Sequence, residues 1–485
     1  MPQQLKATKE AVFLSTECTP QVCHFQSLNK RDVVAEFNGG KITSDGGALL
    51  LREVEKRTGM LKRFSECFRD QRDLRLIEHS KEELIRQRVY ALALGYEDLN
   101  DHDELRADYL LATIVEKADP SGQDRRCPED RGKPLAGKST LNRLELYPDK
   151  GADKYKRISV DGKAVQDCLV DIFLDSYPEA PKHIIVDFDA TDDPVHGNQE
   201  GRFFHGYYNS YCYLPLYVFC DGFCLHAELR PSNIDASEGT VEVLEWMVPR
   251  IRRRWPKVEI VVRGDSGFAR DRIMDWCEEH EVDYVFGLAR NARLIRRIES
   301  ELEQARELYQ KSRQASRVYS EFEYQTLDSW SQARRVVAKA EYLAKGSNPR
   351  FIVTSLPEQK FPMSYLYEEI YCARGDLENR IKEQQLALFA DRTSSRAMRA
   401  NQLRLWFSTF AYLLIHQLRR LGLQATPLAR AQCDTIRLKL FKIGAVVKLS
   451  VRRIFASLAT GYPYQQLFCQ ANENLQRAGP VLTGA

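Results

Sequence analysis

The sequence predicts an α/β protein, with a strand-rich middle between a mainly helical amino-terminal part and a basic, helical carboxy-terminal part. Three observations carry that expectation. Apolar residues recur at helical spacing from Ile77 to Lys117, short apolar runs bounded by turn residues take over from His183 to Ala289, and helical spacing returns from Tyr365 onward. At 485 residues the chain is too long for one ordinary core, so about two to four domains are expected. With 43% hydrophobic and 29% charged residues it can bury sizeable cores and is not a disordered chain.

In chain order, VVAEFNGGKIT (33–43) reads as a short strand pair around Gly39-Gly40. SDGGALLLREVEKRTG then reads as a helix capped by Ser44 or Asp45 and stopped by Gly59. IRQRVYALALGY and DELRADYLLATIVEK follow as helices broken at Gly95, and the polar stretch 118–138 is a loop. In the middle, HIIVDFDAT is a strand and YCYLPLYVFCDGFCLHAELRP is a hairpin turning at Asp221-Gly222. Ala236 to Arg254 is a helix, VEIVVRGDSG a strand, Ala269 to His280 a helix and DYVFGLA a strand. Strand-like runs fill 315–356, and no internal repeat is visible. The domains expected are 1–150 (helical, DNA-binding), 160–299 with 361–420 (catalytic core), 300–360 (a β-strand insertion) and 421–485 (a basic helical region).

Charge is near balance overall, at +3, but not locally. From Arg392 onward fourteen Lys or Arg face two acids, so this stretch carries +12 and the rest −9. A basic lobe beside an acidic body suggests a polyanion partner, a solvated helix face being the plainer alternative. The twelve cysteines are scattered; Cys18/Cys23 and Cys220/Cys224 lack zinc-site spacing. MPQQLKATKE is no signal sequence, and LWFSTFAYLLIHQL (405–418) is too short to span a bilayer. A cytoplasmic protein is expected.

Three motifs could carry chemistry. Gly132 to Ser139 (GKPLAGKS) fits the phosphate-loop pattern of ATPases, with Ile184 to Asp187 as an acidic strand. That cradle needs a strand feeding the glycine loop, and SGQDRRCPED precedes it, so a linker is the stronger reading. The second is a carboxylate set. Asp187 and Asp189 lie two apart on an apolar strand and share a face, where like charges cost desolvation and a divalent cation offsets it. Asp265 follows VEIVV, at a strand's C-terminal end, where open α/β sheets place ligands. The alternative makes Asp265 a helix cap and Asp189 a turn residue. The third is YCARGDLENRIKEQQ, where Tyr371, Arg374, Glu378, Lys382 and Gln385 fall on one helical stripe. If the helix starts after Gly375, only Glu378, Lys382 and Gln385 share it. Ordinary i,i+4 ion pairs are the alternative.

These residues resemble DDE transposases of bacterial insertion sequences, in particular the subgroup with Y-x-x-R-x-x-x-E around the third acid, here Tyr371, Arg374 and Glu378. Asp189-Ala190-Thr191 matches the first acid's motif and RGDSGF around Asp265 the second. NGGKITSDGGALLLRE and GYEDLNDHDELRAD extend the likeness through most of the chain. The resemblance implies an RNase H-like core with a β insertion before the third acid. It implies Asp189, Asp265 and Glu378 as catalytic ligands of two Mg²⁺ ions, with Mn²⁺ able to substitute; Asp187 shares the face of Asp189 and either could reach a cation, and with Asp189 as the ligand Asp187 would orient a ligand or basic group behind it. Tyr371, Arg374 and Lys382 would contact phosphate. Members of the wider group carry a basic residue where this chain has Gln385. The implied activity is metal-assisted cleavage of the element's ends and joining of the 3′-OH to target DNA, by a homodimer on paired ends in the bacterial cytosol, associated with the nucleoid. A nuclease or resolvase sharing the three acids is the alternative from another class. A non-enzymatic DNA-binding protein would not need them.

Overall fold

The computed structural model describes residues 22–73, 75–146 and 157–479; MPQQLKATKE and Cys18 lie outside them. Its centre is a nine-stranded sheet. The strands are β1 (His183–Ala190), β2 (Leu216–Cys220), β3 (Phe223–Glu228), β4 (Glu259–Gly264), β5 (Asp283–Leu288), β6 (Ser316–Tyr324), β7 (Arg334–Leu343) and β8 (Arg350–Thr354), with the two-residue Gly346–Ser347 pairing at the end of β7. The order is β3-β2-β1-β4-β5-β8-β7-β6. The hairpin β2–β3 turns where Asp221 (φ 47°) and Gly222 (φ 78°) both take positive φ, as a two-residue turn matching strand twist requires. β3, β2 and β1 run antiparallel, and β1, β4 and β5 run parallel. The parallel steps are made through helices α1 (Thr240–Arg254) and α2 (Asp271–Glu279), as parallel neighbours demand.

The insertion expected over 300–360 opens on a helix, Glu299–Ser312, before its strands begin at Ser316. Its acids and cations solvate most of that helix, and Ala305 is buried beneath it. The strands do not form a sheet of their own: β8 pairs antiparallel with β5 and extends the central one.

The amino-terminal part packs helix Lys81–Leu94 against α4, the long helix Met398–Leu421. Lys81–Leu94 begins with a reciprocal Ser80–Glu83 cap and ends at Gly95 in the left-handed conformation. Phe64 stacks on Phe410 of α4 at 3.8 Å. Two expectations are corrected. The amino-terminal strand pair is Val22–Leu28 with Arg31–Glu36, turning at Asn29 (φ 58°) and not at Gly39-Gly40. The carboxy-terminal region is not all helical: Ala445–Leu449 and Ile454–Leu458 form a hairpin that pairs with Ile42–Thr43. Its alternating, β-branched run AVVKLSVRRIF suits a pleated surface.

Much of the basic stretch is spent internally. Arg419 is buried against Glu383, Arg404 meets buried Glu145 at 3.2 Å, Arg392 meets Glu97 at 2.6 Å and Lys442 meets Asp45 at 2.7 Å. The local charge excess therefore binds this stretch to the acidic body. No helix among the described residues is long and apolar enough to cross a membrane.

Candidate active site

β1 and β4 lie side by side with Arg263 opposite Asp187 and Gly264 opposite Phe188, so the next residues, Asp189 and Asp265, come level at the sheet's C-terminal edge. Alternation along a strand puts Asp187 and Asp189 on one face and Arg263 and Asp265 likewise. Asp189 is the penultimate residue of β1, not a turn residue. Asp265 is not the cap of α2, whose N-cap is Arg270. Its carboxylate accepts from the Gly267 N–H at 2.8 Å, which fixes its direction just after the strand.

The third acid comes from α3 (Gly375–Lys382). Gly375 does not interrupt the helix: the helical path is continuous from Met363 to Ala387, with widened turns at Leu366–Tyr371 and Glu383–Ala387. Such widened turns recur at functional sites. Tyr371, Arg374 and Glu378 thereby all reach the acid edge. Arg374 donates to Glu378 at 2.7 Å and stands 3.7 Å from Asp189, and its guanidinium lies in the fields of Asp189, Tyr371, Glu378 and Asp265. Glu378 and Asp189 thus flank one cation, and Asp265 stands level with Asp189 on the neighbouring strand.

Burial pushes the Asp189 carboxyl up to about 7; Arg374 opposes this, and the negative charges of Asp265 and Glu378 add to it. Asp187 differs. Arg263 donates to it through two nitrogens, at 2.5 and 2.8 Å, and a third Arg263 nitrogen donates to the Ile370 carbonyl. Asp187 is therefore held by a neighbouring strand's arginine, and through it by the start of the third-acid helix. Lys382 is exposed and makes no ion pair among the described residues. As the side chains lie, Arg374 occupies the ground between the acids, and among the described residues no three acidic, histidine or cysteine side chains stand close enough to share a metal ion.

The sequence reading did not single out Gly287 or Arg263, and it placed Gln385 on the helical stripe without its partners. Gly287 on β5 leaves room for the Tyr371 hydroxyl, which a Cβ there would meet at 2.5 Å. Gln385 donates to the Asp192 carbonyl at 3.0 Å and the Asp193 carboxyl at 2.7 Å, tying the third-acid helix to the loop after β1. Arg263 had a signal: a lone cation in the apolar strand VEIVVRG, opposite a strand carrying two acids. A cavity of about 580 Å³ opens beside the site, lined by Ser266, Gly287, Arg290, Arg350, Tyr367 and Tyr371 among others. At the phosphate-loop look-alike, Lys138 opens a helix with no strand before it. Its backbone N–H donates to Asp103 and its ammonium pairs with the same carboxylate at 3.1 Å, which takes up the groups a phosphate would need.

The model of the family described as Transposase DDE domain group 1 matches residues 25–480, and the chain belongs to that family, whose members are nucleotidyl-transfer enzymes that normally use divalent metal ions. No curated relative matches the sequence. Among solved structures, one similar chain is the piggyBac transposase in a synaptic complex with hairpin DNA, at 11% identity and a TM-score of 0.38, over 90% of this chain and 83% of that one.

Proposed function

We propose that this protein is the transposase of a bacterial insertion sequence, which cleaves the ends of its element and joins the freed 3′-OH to target DNA. The observation that carries the reading is Arg374 between Glu378 at 2.7 Å and Asp189 at 3.7 Å, with Asp265 level with Asp189 on the next strand, in a chain of the DDE family. The strand order β3-β2-β1-β4-β5, antiparallel in the first three and parallel thereafter, supports an RNase H-like core.

The donor set fits a hard divalent cation: three carboxylates supply only oxygen ligands, and Asp189 is a buried carboxyl whose charge Arg374 at 3.7 Å compensates poorly. Asp189, Asp265 and Glu378 would hold two Mg²⁺ ions, with Mn²⁺ able to replace them. When bound, the ions supply Lewis acidity to the attacking and leaving oxygens. Arg374 then trades Asp189 and Glu378 for a phosphate oxygen, which its fork of donors suits. Tyr371 directs its hydroxyl into the same cleft, and Asp187 holds Arg263 in place behind it. Lys382, exposed one turn beyond Glu378, contacts the backbone of the bound strand. Among the described residues no serine, cysteine or histidine hydrogen-bonds to Asp189, Asp265 or Glu378, in keeping with direct attack by water and then by the 3′-OH. Partners in this reading are the terminal inverted repeats and target DNA, brought together by a homodimer in the bacterial cytosol.

The test is incubation of the purified protein with Mg²⁺ and labelled element-end DNA. Nicks leaving 3′-OH ends, followed by joined products, are expected. Nicks that never become joined would favour the nuclease alternative.

A further inference from the structure

The connection from β1 to β2 holds a small three-stranded sheet of its own: Asp193–Pro194, Phe203–His205 and, between them, Ser210–Tyr213. Its root is buried at Asp193, Val195, Cys212 and Tyr213. Its tip is the reverse. Phe203, Phe204, Tyr207 and Tyr211 are exposed, Tyr207 at 86%. Phe204 and Tyr211 face each other across the strands, rings edge-to-face at 5.6 Å, and the Arg202 guanidinium lies 4.7 Å over the Tyr211 ring. Tyr207 meets Tyr208 at 5.0 Å. Single exposed rings are ordinary, but Phe204 and Tyr211 share one face of a short hairpin with Tyr207 in its turn, Phe203 alternating to the other face, and such a cluster marks a binding surface.

Position and charge select the partner. Tyr208, in the turn of this hairpin, donates toward the Ala190 carbonyl at 3.4 Å, one residue beyond Asp189. The turn of the hairpin therefore stands at the rim of the acid cleft. Residues 202–212 include Arg202 and His205 and no acid, so a polyanion can approach. The frame is fixed: Ser232 donates to the Phe203 carbonyl at 2.9 Å and Tyr213 to the Glu200 carbonyl at 2.6 Å. Flat rings with a stacked guanidinium match the faces of nucleobases. Bases inside a duplex are already stacked, so only unpaired ones gain.

We propose that the aromatic hairpin 202–211 is a stacking surface for unpaired DNA bases flanking the phosphate at Asp189, Asp265 and Glu378. The proposal rests on the reading of those acids as a DNA-processing site and adds to it the form of DNA the protein holds.

The experiment measures binding of the full-length protein, without divalent metal, to a short fluorescent single-stranded oligonucleotide and to a blunt duplex of the same sequence. The double variant Phe204→Ala/Tyr207→Ala is expected to bind the single strand about tenfold more weakly and the duplex as before, while Phe204→Tyr/Tyr207→Phe, which keeps the rings, binds both like wild type. Asp189→Asn is expected to retain the ring-dependent binding. Unchanged single-strand affinity in the alanine variant, or an equal loss for both DNAs, overturns the proposal. A smaller species in sedimentation with unchanged single-strand affinity also overturns it and makes the rings a contact between copies. Ring-dependent binding by a protein that never cuts DNA would keep the stacking surface and defeat the transposase reading; cutting without ring-dependent binding would do the opposite.

Discussion

Asp187 and Asp189 sit two positions apart on one strand, and what touches each divides their roles. Asp187 is neutralised by Arg263, while Asp189 faces the cleft with Arg374 at 3.7 Å. Asp187→Ala leaves Arg263 buried without its partner, a change that costs about 3–5 kcal/mol. Urea unfolding should show that loss, whereas Asp189→Asn should unfold near wild type and show no cleavage even at high Mn²⁺. Asp193 offers a pH signature. It is wholly buried and burial pushes it up to about 8, and among the described residues only the Gln385 side chain bonds to it. The native state thus keeps a proton that the unfolded chain releases near pH 4, and between about 4 and 8 stability falls as pH rises, by at most about 1.4 kcal/mol per pH unit. Asp193→Asn keeps the Gln385 bond and removes the titration. The stability difference between variant and wild type should therefore grow in the variant's favour from pH 5 to pH 8 and level off above.

At the scale of elements, the acid-bearing strands were legible because their signals are local: an apolar run, alternation, and a turn at Asp221-Gly222. The third-acid helix was legible only as a face. Its stripe from Tyr371 to Gln385 assumes uniform turns, while the structure tightens the path at Cys372–Arg374, widens it at Glu383–Ala387 and carries the helix through Gly375. What fixes that path is non-local. Gly287 on β5 admits the Tyr371 hydroxyl, and Gln385 bonds the loop after β1, contacts no spacing in the sequence announces. Gly287→Ala should push Tyr371 outward and lower both melting temperature and cleavage. Adding Tyr371→Phe should return part of the stability, because the oxygen in the clash is gone, but not all of it, because the new Cβ would still stand 3.0 Å from the Ser266 nitrogen. A fully additive double-mutant cycle would place the clash elsewhere.

At the scale of the whole molecule, the excess of positive charge after Arg392 was visible in the sequence, but its destination was not. Composition cannot tell a cation that docks a helix from one that waits for DNA. Arg392, Arg404, Arg419 and Lys442 are committed to acids of the body, whereas the hairpin Ala445–Leu449 with Ile454–Leu458 roots its inner side through Ala445 and Val447 and projects Lys448, Arg452 and Arg453 as exposed groups. Between Gly444 and Gly461 there is no acid to neutralise them. If this hairpin tip meets the duplex backbone, each phosphate contact it makes releases condensed counterions, and the slope of log affinity against log salt changes by about 0.9 per contact. Arg452→Ala/Arg453→Ala should therefore weaken duplex binding at low salt and flatten that slope by up to about 1.8, with thermal stability unchanged. Arg404→Ala should do the opposite, leaving the slope as it is while lowering stability, because it removes one of the two arginines that face Glu145, which is 1% exposed and would keep only Arg88 at 3.1 Å. A slope that follows Arg404 and ignores Arg452 and Arg453 would place the DNA on the face of α4 instead.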